Sequence, residues 1–338
     1  MRIVLAGLLV LVLGGCTAAP AGTAAPGRGS APTTVSASRQ TAAEADATLA
    51  SLRKVDDLPL YEMSYVGDYD ELAGVPMVPT ASPFGCSLFV ASGGPAPVFG
   101  RNFDWDPHAA MVLHTAPPDG YAAVSVVDLS YLGVAKGDDL TTAPKTRREL
   151  LNAPLLPFDG LNERGLAVGL AADDSGRAGK NPALPTVGGV RIQRIILDRA
   201  ATVDQAVELL GRYNLDFTDG PALHYLLADS SGASAVVEFV DGRMEVLRGG
   251  PPWQALTNIR LTGADEATRR ADRRYETLRA RLTRAGGVLT PDAALGLLRD
   301  VAQSHTRWSV TYQLDSHDVR VTTAGRWEKV HTFQLRRP

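Results

Sequence analysis

Alternating apolar and polar residues predict antiparallel strand pairs along much of the chain. Residues 86–91 and 97–103 flank a Gly-Gly-Pro turn, which is typical of a β-hairpin. The other predicted strands are 223–228 and 234–239 around a polar turn, 242–247 directly after them, and 308–314 and 319–322 near the C-terminus.

Three segments show helical spacing of apolar residues. Thr202 precedes the first as a capping residue, the second covers 265–284 and is basic, and Thr290-Pro291 opens the third. Strand meanders interrupted by separate long helices predict a layered α+β fold.

The N-terminus has the pattern of a lipoprotein signal peptide, 1–16. Arg2 precedes an apolar run, 3–13, that is too short to span a bilayer. The run ends in Leu-Gly-Gly-Cys, which resembles a bacterial lipobox with Cys16 as the lipidated residue. The alternative is a plain signal peptide with an incidental cysteine. We favour the lipobox because Cys16 lies where cleavage is expected.

Residues 17–45 are rich in Ala, Pro, Gly, Ser and Thr and have little apolar bulk. Such a composition buries too little surface to order itself, so we expect a flexible tether. No repeat or second linker follows, and we expect a single domain over 46–338. The chain would then be exported and held outside the cytoplasm by its lipid alone.

Composition excludes several function classes. The 338 residues are 45% hydrophobic and 21% charged, which is ordinary for a globular protein. The net charge of −3 and the absence of a basic stripe argue against nucleic acid as a partner. The six histidines lack the spacing of metal sites, so we expect no metal and no cofactor.

The chain has two cysteines, Cys16 and Cys86, and we expect no disulfide between them. If the hairpin loop covers 93–97, Cys86 lies directly opposite Asp104 on the neighbouring strand, and Arg101 lies close by. A thiol would then meet a carboxylate at the open end of the hairpin.

A cysteine needs a base or a lowered pKa to act as a nucleophile, and no histidine lies nearby in the motif. Cleavage between Gly85 and Cys86 would supply the base, because the pKa of a free α-amine is about 7.7–8.0. Asp104 would hold this amine and Arg101 would favour the thiolate. The alternative is a buried structural cysteine beside a salt bridge.

Four segments resemble one family in order and spacing: Cys86 with Gly-Arg-Asn-Phe-Asp-Trp at 100–105, then 158–168, 256–258 and 272–278. The segment 308–312 also resembles that family. They are similar to the N-terminal nucleophile hydrolases of the choloylglycine hydrolase type, also called linear amide C–N hydrolases. The resemblance covers about residue 58 to the C-terminus. It implies a four-layer αββα fold, with two stacked antiparallel sheets between helical layers.

The resemblance also implies a role for each matching residue. Cys86 would attack the amide carbonyl, Asp104 would bind its freed amine, and Arg101 would steady the thiolate. Asn258 would donate its side-chain amide to the oxyanion.

An arginine of the family falls on Arg273 or Arg274, which the motif does not separate. Arg274 flanks the apolar stripe of a helix, whereas Arg273 points nearly opposite, so we favour Arg274. Many bile salt hydrolases have an asparagine where this chain has Ala172 and its neighbours. A backbone N–H at Ala172 would tolerate this difference, whereas a required side chain would put bile salt hydrolysis in doubt.

The sequence therefore predicts an amidohydrolase that acts on a small N-acyl amide. Acyl transfer through the same acyl-enzyme, and a non-catalytic lipoprotein that binds a ligand, remain as alternatives. Cleavage at Gly85-Cys86 would leave a small fragment, 46–85, and a catalytic fragment, 86–338. We expect the two to stay packed together. The sequence does not predict an oligomeric state.

Overall fold

Two β-sheets packed face to face form the centre of the fold. The computed structural model describes residues 36–57, 59–74, 85–106, 108–142, 144–218, 220–249 and 252–337. The described residues form one structural unit, and the predicted signal peptide with Cys16 lies outside them.

The described residues form seventeen strands, which we number in chain order. They are β1 (Arg53–Asp56), β2 (Leu60–Tyr65), β3 (Gly85–Ala91), β4 (Val98–Asp104), β5 (Ala110–Thr115), β6 (Ala123–Asp128), β7 (Pro157–Asn162), β8 (Ala167–Ala172), β9 (Thr186–Gly188), β10 (Asn214–Asp216), β11 (Leu223–Ala228), β12 (Ser234–Val240), β13 (Arg243–Arg248), β14 (Trp253–Leu256), β15 (Thr306–Gln313), β16 (Asp318–Thr323) and β17 (His331–Gln334).

The described part of the chain also contains seven α-helices and two 3₁₀ helices. The α-helices are α1 (Ala42–Ala50), α2 (Pro144–Glu149), α3 (Ile192–Arg199), α4 (Val203–Leu210), α5 (Glu266–Ala271), α6 (Arg273–Arg284) and α7 (Pro291–Asp300), and the 3₁₀ helices are Leu129–Leu132 and Leu150–Leu155. In this part of the chain no helix is both long and apolar enough to cross a membrane.

The larger sheet has nine strands in the order β1-β2-β5-β6-β7-β8-β11-β12-β13, and the smaller has six in the order β14-β3-β4-β15-β16-β17. Strand β3 packs against β8 and β11 of the larger sheet. A Cβ atom on Gly169 of β8 would lie 2.7 Å from the Leu88 side chain of β3. A residue without a side chain therefore lets the sheets approach here.

Helices cover the outer faces of both sheets. Helix α3 packs on β7 and β8, and α4 packs on β11 and β12. On the other side, α6 packs on β14 and β3, and α7 packs on β4 and β15. The predicted four-layer αββα fold is confirmed. One detail differs from the prediction, because β2 pairs with β5 in parallel within the otherwise antiparallel larger sheet.

Two predicted boundaries are wrong. The helix expected over 265–284 is broken at Asp272, whose backbone is extended and whose carboxylate accepts from the Tyr275 amide as the cap of α6. The tether expected over 17–45 is ordered from residue 36 onward. Thr41 and Glu44 form a capping box for α1, and buried Ala37 donates its N–H to Asn152 at 2.9 Å.

Candidate active site

Cys86 lies at the beginning of β3, on the face that meets the larger sheet. The predicted register of the β3–β4 hairpin is wrong by one residue: Gly85 pairs with Asp104, and Cys86 pairs with Phe103. The loop covers six residues, 92–97, instead of five. Tertiary contacts determine its length, because the backbone N–H groups of Ser92 and Gly93 donate to Pro252 and Gly287.

Asp104 therefore lies beside Gly85, at the peptide bond where we expect cleavage. A Cβ atom on Gly85 would be 3.2 Å from Asp104 Oδ2, so glycine leaves room for the carboxylate. Thr306 Oγ1 donates to Asp104 Oδ1 at 2.5 Å, and Arg274 Nη1 lies 3.6 Å from Oδ2. Burial raises the pKa of Asp104 although Thr306 and Arg274 oppose this shift.

Arg101 is fully buried and reaches the thiol from β4. Its Nη2 donates to Cys86 Sγ at 3.3 Å and to the Leu170 carbonyl at 3.2 Å. Its Nη1 donates to Asp159 Oδ2 at 2.5 Å. Burial raises the pKa of the Cys86 thiol, against the opposing effect of Arg101. A neutral thiol in this environment needs a base before it can attack a carbonyl.

Asp159 is a site residue that the sequence interpretation did not assign. It is fully buried on β7 and pairs with Arg101. Trp308 Nε1 donates to Asp159 Oδ2 at 3.2 Å, and the Tyr312 hydroxyl donates to Oδ1. The sequence did contain a signal for Asp159. It is a carboxylate among apolar residues of the segment 158–168, which matches the family.

Leu256 at the end of β14 pairs with Leu88 of β3. If this register is continued for two residues, Asn258 lies directly opposite Cys86. The Cys86 backbone N–H donates to Asn258 Oδ1 at 2.8 Å. Asn258 Nδ2 donates to the Ala172 carbonyl at 3.0 Å. The same side chain thus connects the nucleophile's nitrogen to the end of β8.

The structure distinguishes Arg274 from Arg273. Arg274 Nη1 donates to the Cys86 carbonyl at 2.6 Å, and Nη2 donates to Asn258 Oδ1 at 3.0 Å. Arg273 is exposed, and both arginines line a polar cavity of about 380 Å³. The geometry therefore places Arg274 in the cluster of side chains around Cys86, which also contains Arg101, Asp104 and Asn258. Arg273 lies outside this cluster.

The backbone of Ala172 faces the same cluster. The N–H of the next residue, Asp173, donates to Ala222 beside β11. Because N–H directions alternate along an antiparallel strand, the N–H and C=O of Ala172 point away from β11. Its carbonyl meets Asn258 on that side.

Within the described ranges, no group of three or more His, Cys, Asp or Glu side chains could hold a metal ion. The arrangement instead joins a thiol, two guanidinium groups, a carboxylate and an amide around the Gly85-Cys86 peptide bond. These groups can activate a thiol and stabilise an oxyanion.

Comparisons with known proteins point to related enzymes. Residues 157–316 match the family model described as acyl-coenzyme A:6-aminopenicillanic acid acyl-transferase. Penicillin V acylase of Pectobacterium atrosepticum is 26% identical over 174 residues, which are 48% of this chain and 45% of that protein. The match therefore spans less than half the length of this relative.

Two solved structures share the fold. Penicillin V acylase from Agrobacterium tumefaciens is 18% identical, with a TM-score of 0.50 over 74% of this chain and 86% of that one. A mutant of the conjugated bile acid hydrolase from Clostridium perfringens is 13% identical, with a TM-score of 0.54 over 74% of this chain and 92% of that one.

Proposed function

Because this chain belongs to the N-terminal nucleophile hydrolases of the choloylglycine hydrolase type, we propose that it hydrolyses the C–N bond of a linear N-acyl amide. The observation that carries the proposal is the convergence of Arg101, Asn258 and Arg274 on Cys86, with Asp104 beside Gly85. No other cysteine lies in the described residues.

The reaction requires a free amine on Cys86, which hydrolysis of the Gly85-Cys86 peptide would provide. The pKa of a free α-amine is about 7.7–8.0, so the amine can exchange protons near neutral pH. Asp104 is close enough to Gly85 to hold the new ammonium group. Asn258 Oδ1, which accepts from this nitrogen in the uncut chain, would remain its second partner.

In acylation the α-amine takes the thiol proton, and Sγ bonds to the substrate carbonyl carbon. The carbonyl oxygen becomes an oxyanion, which Asn258 Nδ2 and the Ala172 N–H would stabilise. Removal of one such donor typically costs about 10²–10³ in rate. The tetrahedral intermediate then breaks its C–N bond, the ammonium group protonates the leaving amine, and a thioester remains on Cys86.

In deacylation the same amine removes a proton from water, which attacks the thioester carbonyl. Collapse breaks the C–S bond, releases the carboxylic acid and returns the proton to sulfur. Arg101 would stabilise the thiolate at both stages, and the buried Asp159 would keep the guanidinium in position.

Transfer of the acyl group to an amine is the second candidate, because the matching family model is that of an acyl-transferase. The two reactions share the thioester and differ in the acceptor. Water gives the free acid, whereas an amine gives a new amide.

We also propose that a lipid on Cys16 holds the protein outside the cytoplasm. The anchor would then belong to the small fragment and the nucleophile to the catalytic fragment.

The test is turnover of N-acyl amides by the purified mature protein. Penicillin V and a conjugated bile acid are suitable probes, since the related proteins are named for them. Release of the free amine should be abolished by Cys86→Ser. The matched control is Ser87→Ala, because Ser87 points to the opposite face of β3. Turnover that survives in Cys86→Ser would refute the assignment of the nucleophile.

Repeating the assay with an added amine separates hydrolysis from transfer. Hydrolysis predicts the carboxylic acid as the main product whether or not the amine is present. A new amide as the main product would assign the chain to the transferases.

A further inference from the structure

A buried histidine and glutamate connect the larger sheet to the loop that carries Asn258. His224 lies on β11 and Glu238 on β12, and both side chains are fully buried. They are cross-strand neighbours, one step beyond the pair Tyr225 and Val237. His224 Nδ1 is 3.2 Å from Glu238 Oε1. Neither residue has a role in the mechanism proposed above.

The pair holds the Asn258 loop at both ends. On the N-terminal side, His224 Nε2 contacts the Thr257 carbonyl at 2.8 Å. On the C-terminal side, the backbone N–H groups of Leu261 and Thr262 donate to the two carboxylate oxygens of Glu238, each at 2.7 Å. Asn258 lies between these anchors, so the pair restrains the backbone before and after it.

The hydrogen-bond partner of His224 Nε2 determines that this nitrogen is a donor. A carbonyl oxygen accepts hydrogen bonds and cannot donate them, so His224 Nε2 must carry a hydrogen. Glu238 already accepts two backbone N–H groups, and its pKa is lowered because these bonds and His224 outweigh the effect of burial.

We propose that His224 and Glu238 are positioning residues that hold Asn258 in the geometry needed for oxyanion stabilisation. The inference rests on the proposed function, in which Asn258 acts on the transition state. Loss of either partner would release one end of the loop and move the Asn258 amide, while the thiol keeps its contact with Arg101. A displacement of about 1 Å in such a group can cost about 10²-fold in rate.

The larger sheet offers a matched control. His114 on β5 and Glu62 on β2 form a second buried histidine–carboxylate contact, with Nε2 3.1 Å from Oε1. This pair joins two strands of the larger sheet. Neither of its residues is among the hydrogen-bond partners given above for Cys86, Arg101 or Asn258. Variants of His114 thus reproduce the loss of a buried imidazole without disturbing the Asn258 loop.

The experiment compares kcat and KM for His224→Ala and His224→Gln with those for His114→Ala and His114→Gln. His224→Ala should lower kcat about 10–100-fold and change KM by less than about threefold. His224→Gln should recover part of the loss, because its amide can still donate to Thr257. Both His114 variants should keep kcat within about threefold of wild type once folded. Equal kcat losses at the two histidines would overturn the proposal.

A second variant keeps the test valid if His224→Ala does not fold. Glu238→Gln preserves the shape of the side chain but has one carbonyl oxygen for two backbone N–H donors, so it should also lower kcat. Its crystal structure should show Asn258 Nδ2 moved out of hydrogen-bond distance of the Ala172 carbonyl. An unchanged Asn258 would overturn the proposal. This readout needs no substrate, so it remains decisive even if the wild-type protein hydrolyses none of the amides tested.

Discussion

Asn258 Oδ1 accepts a hydrogen bond from the Cys86 backbone N–H at 2.8 Å, across the extended register of β14 and β3. Arg274 Nη2 donates to the same oxygen at 3.0 Å, so two donors determine the orientation of the Asn258 amide. Its Nδ2 therefore points to the Ala172 carbonyl. The nitrogen that would become the catalytic amine is already bound to the residue proposed to stabilise the oxyanion.

The neighbouring arginines Arg273 and Arg274 give a matched pair of variants. Arg274→Ala should lower kcat/KM by about 10²-fold, because it removes the contacts to Cys86, Asn258 and Asp104. Arg273→Ala should stay within about threefold of wild type, since its side chain is exposed. Steady-state kinetics on the purified proteins checks both values. A larger loss for Arg273→Ala would reverse the assignment.

Asp159 should be essential for the position of Arg101. Asp159→Asn leaves the fully buried guanidinium without its carboxylate, and breaking such a pair typically costs about 3–5 kcal/mol of unfolding free energy. Turnover per folded molecule should also fall at least about tenfold, because Arg101 contacts the thiol. Urea denaturation and kinetics measure the two effects.

The control for Asp159 is Asp198→Asn, which breaks the buried ion pair with Arg194 in the outer helix α3. It should lower stability while the folded protein keeps its turnover number. Equal turnover numbers for Asp159→Asn and Asp198→Asn would contradict a role for Asp159 in holding Arg101.

The local sequence pattern correctly predicted those strands and helix ends that depend on interactions between residues close together in the chain. The strands around 86, 223 and 234 are confirmed, and Thr202 and Thr290 cap helices as expected. The order and spacing of the motifs also indicated Cys86, Arg101, Asp104 and Asn258, which the fold brings together.

Predictions from the sequence were wrong or incomplete where contacts between residues far apart in the chain determine the structure. The hairpin register depends on bonds from Ser92 and Gly93 to residues beyond 250, which no local pattern shows. Asp159 acquires its role from Trp308 and Tyr312, about 150 residues later in the chain. The order of residues 36–45 likewise depends on contacts with distant residues such as Asn152.

Acid should weaken the attachment of the small fragment. Asp56 on β1 accepts hydrogen bonds from His331 at 2.8 Å and from Lys329 and Thr323 at 3.0 Å, and all three lie in the proposed catalytic fragment. Burial alone would raise the pKa of Asp56, but these bonds outweigh it and hold the pKa below its usual value.

A lowered pKa in the folded state means that the unfolded chain binds more protons. The stabilisation by Asp56 is therefore complete above about pH 4 and is lost as the pH falls further. Asp56→Asn should reduce the decrease in the urea midpoint on acidification. Asp46→Asn, which alters an exposed carboxylate on α1, should retain the wild-type decrease. Identical acid dependence in Asp56→Asn and wild type would contradict this role.

The two fragments should remain together on the membrane. Strand β2 of the small fragment lies inside the larger sheet, between β1 and β5, and the Tyr69 hydroxyl donates to Asp198 of the catalytic fragment. Membrane fractionation should recover both fragments in the membrane pellet, and Cys16→Ala should move both to the medium. A catalytic fragment that is free in the medium while the small fragment stays in the pellet would refute the prediction.

Intact-mass analysis of the purified mature protein tests the central claim most directly. The proposed mechanism predicts two polypeptides, the larger beginning at Cys86 with a free amine, whereas Cys86→Ala should remain one chain. A single uncut chain that still hydrolyses N-acyl amides would contradict the mechanism, because Cys86 would then have no α-amine to serve as its base.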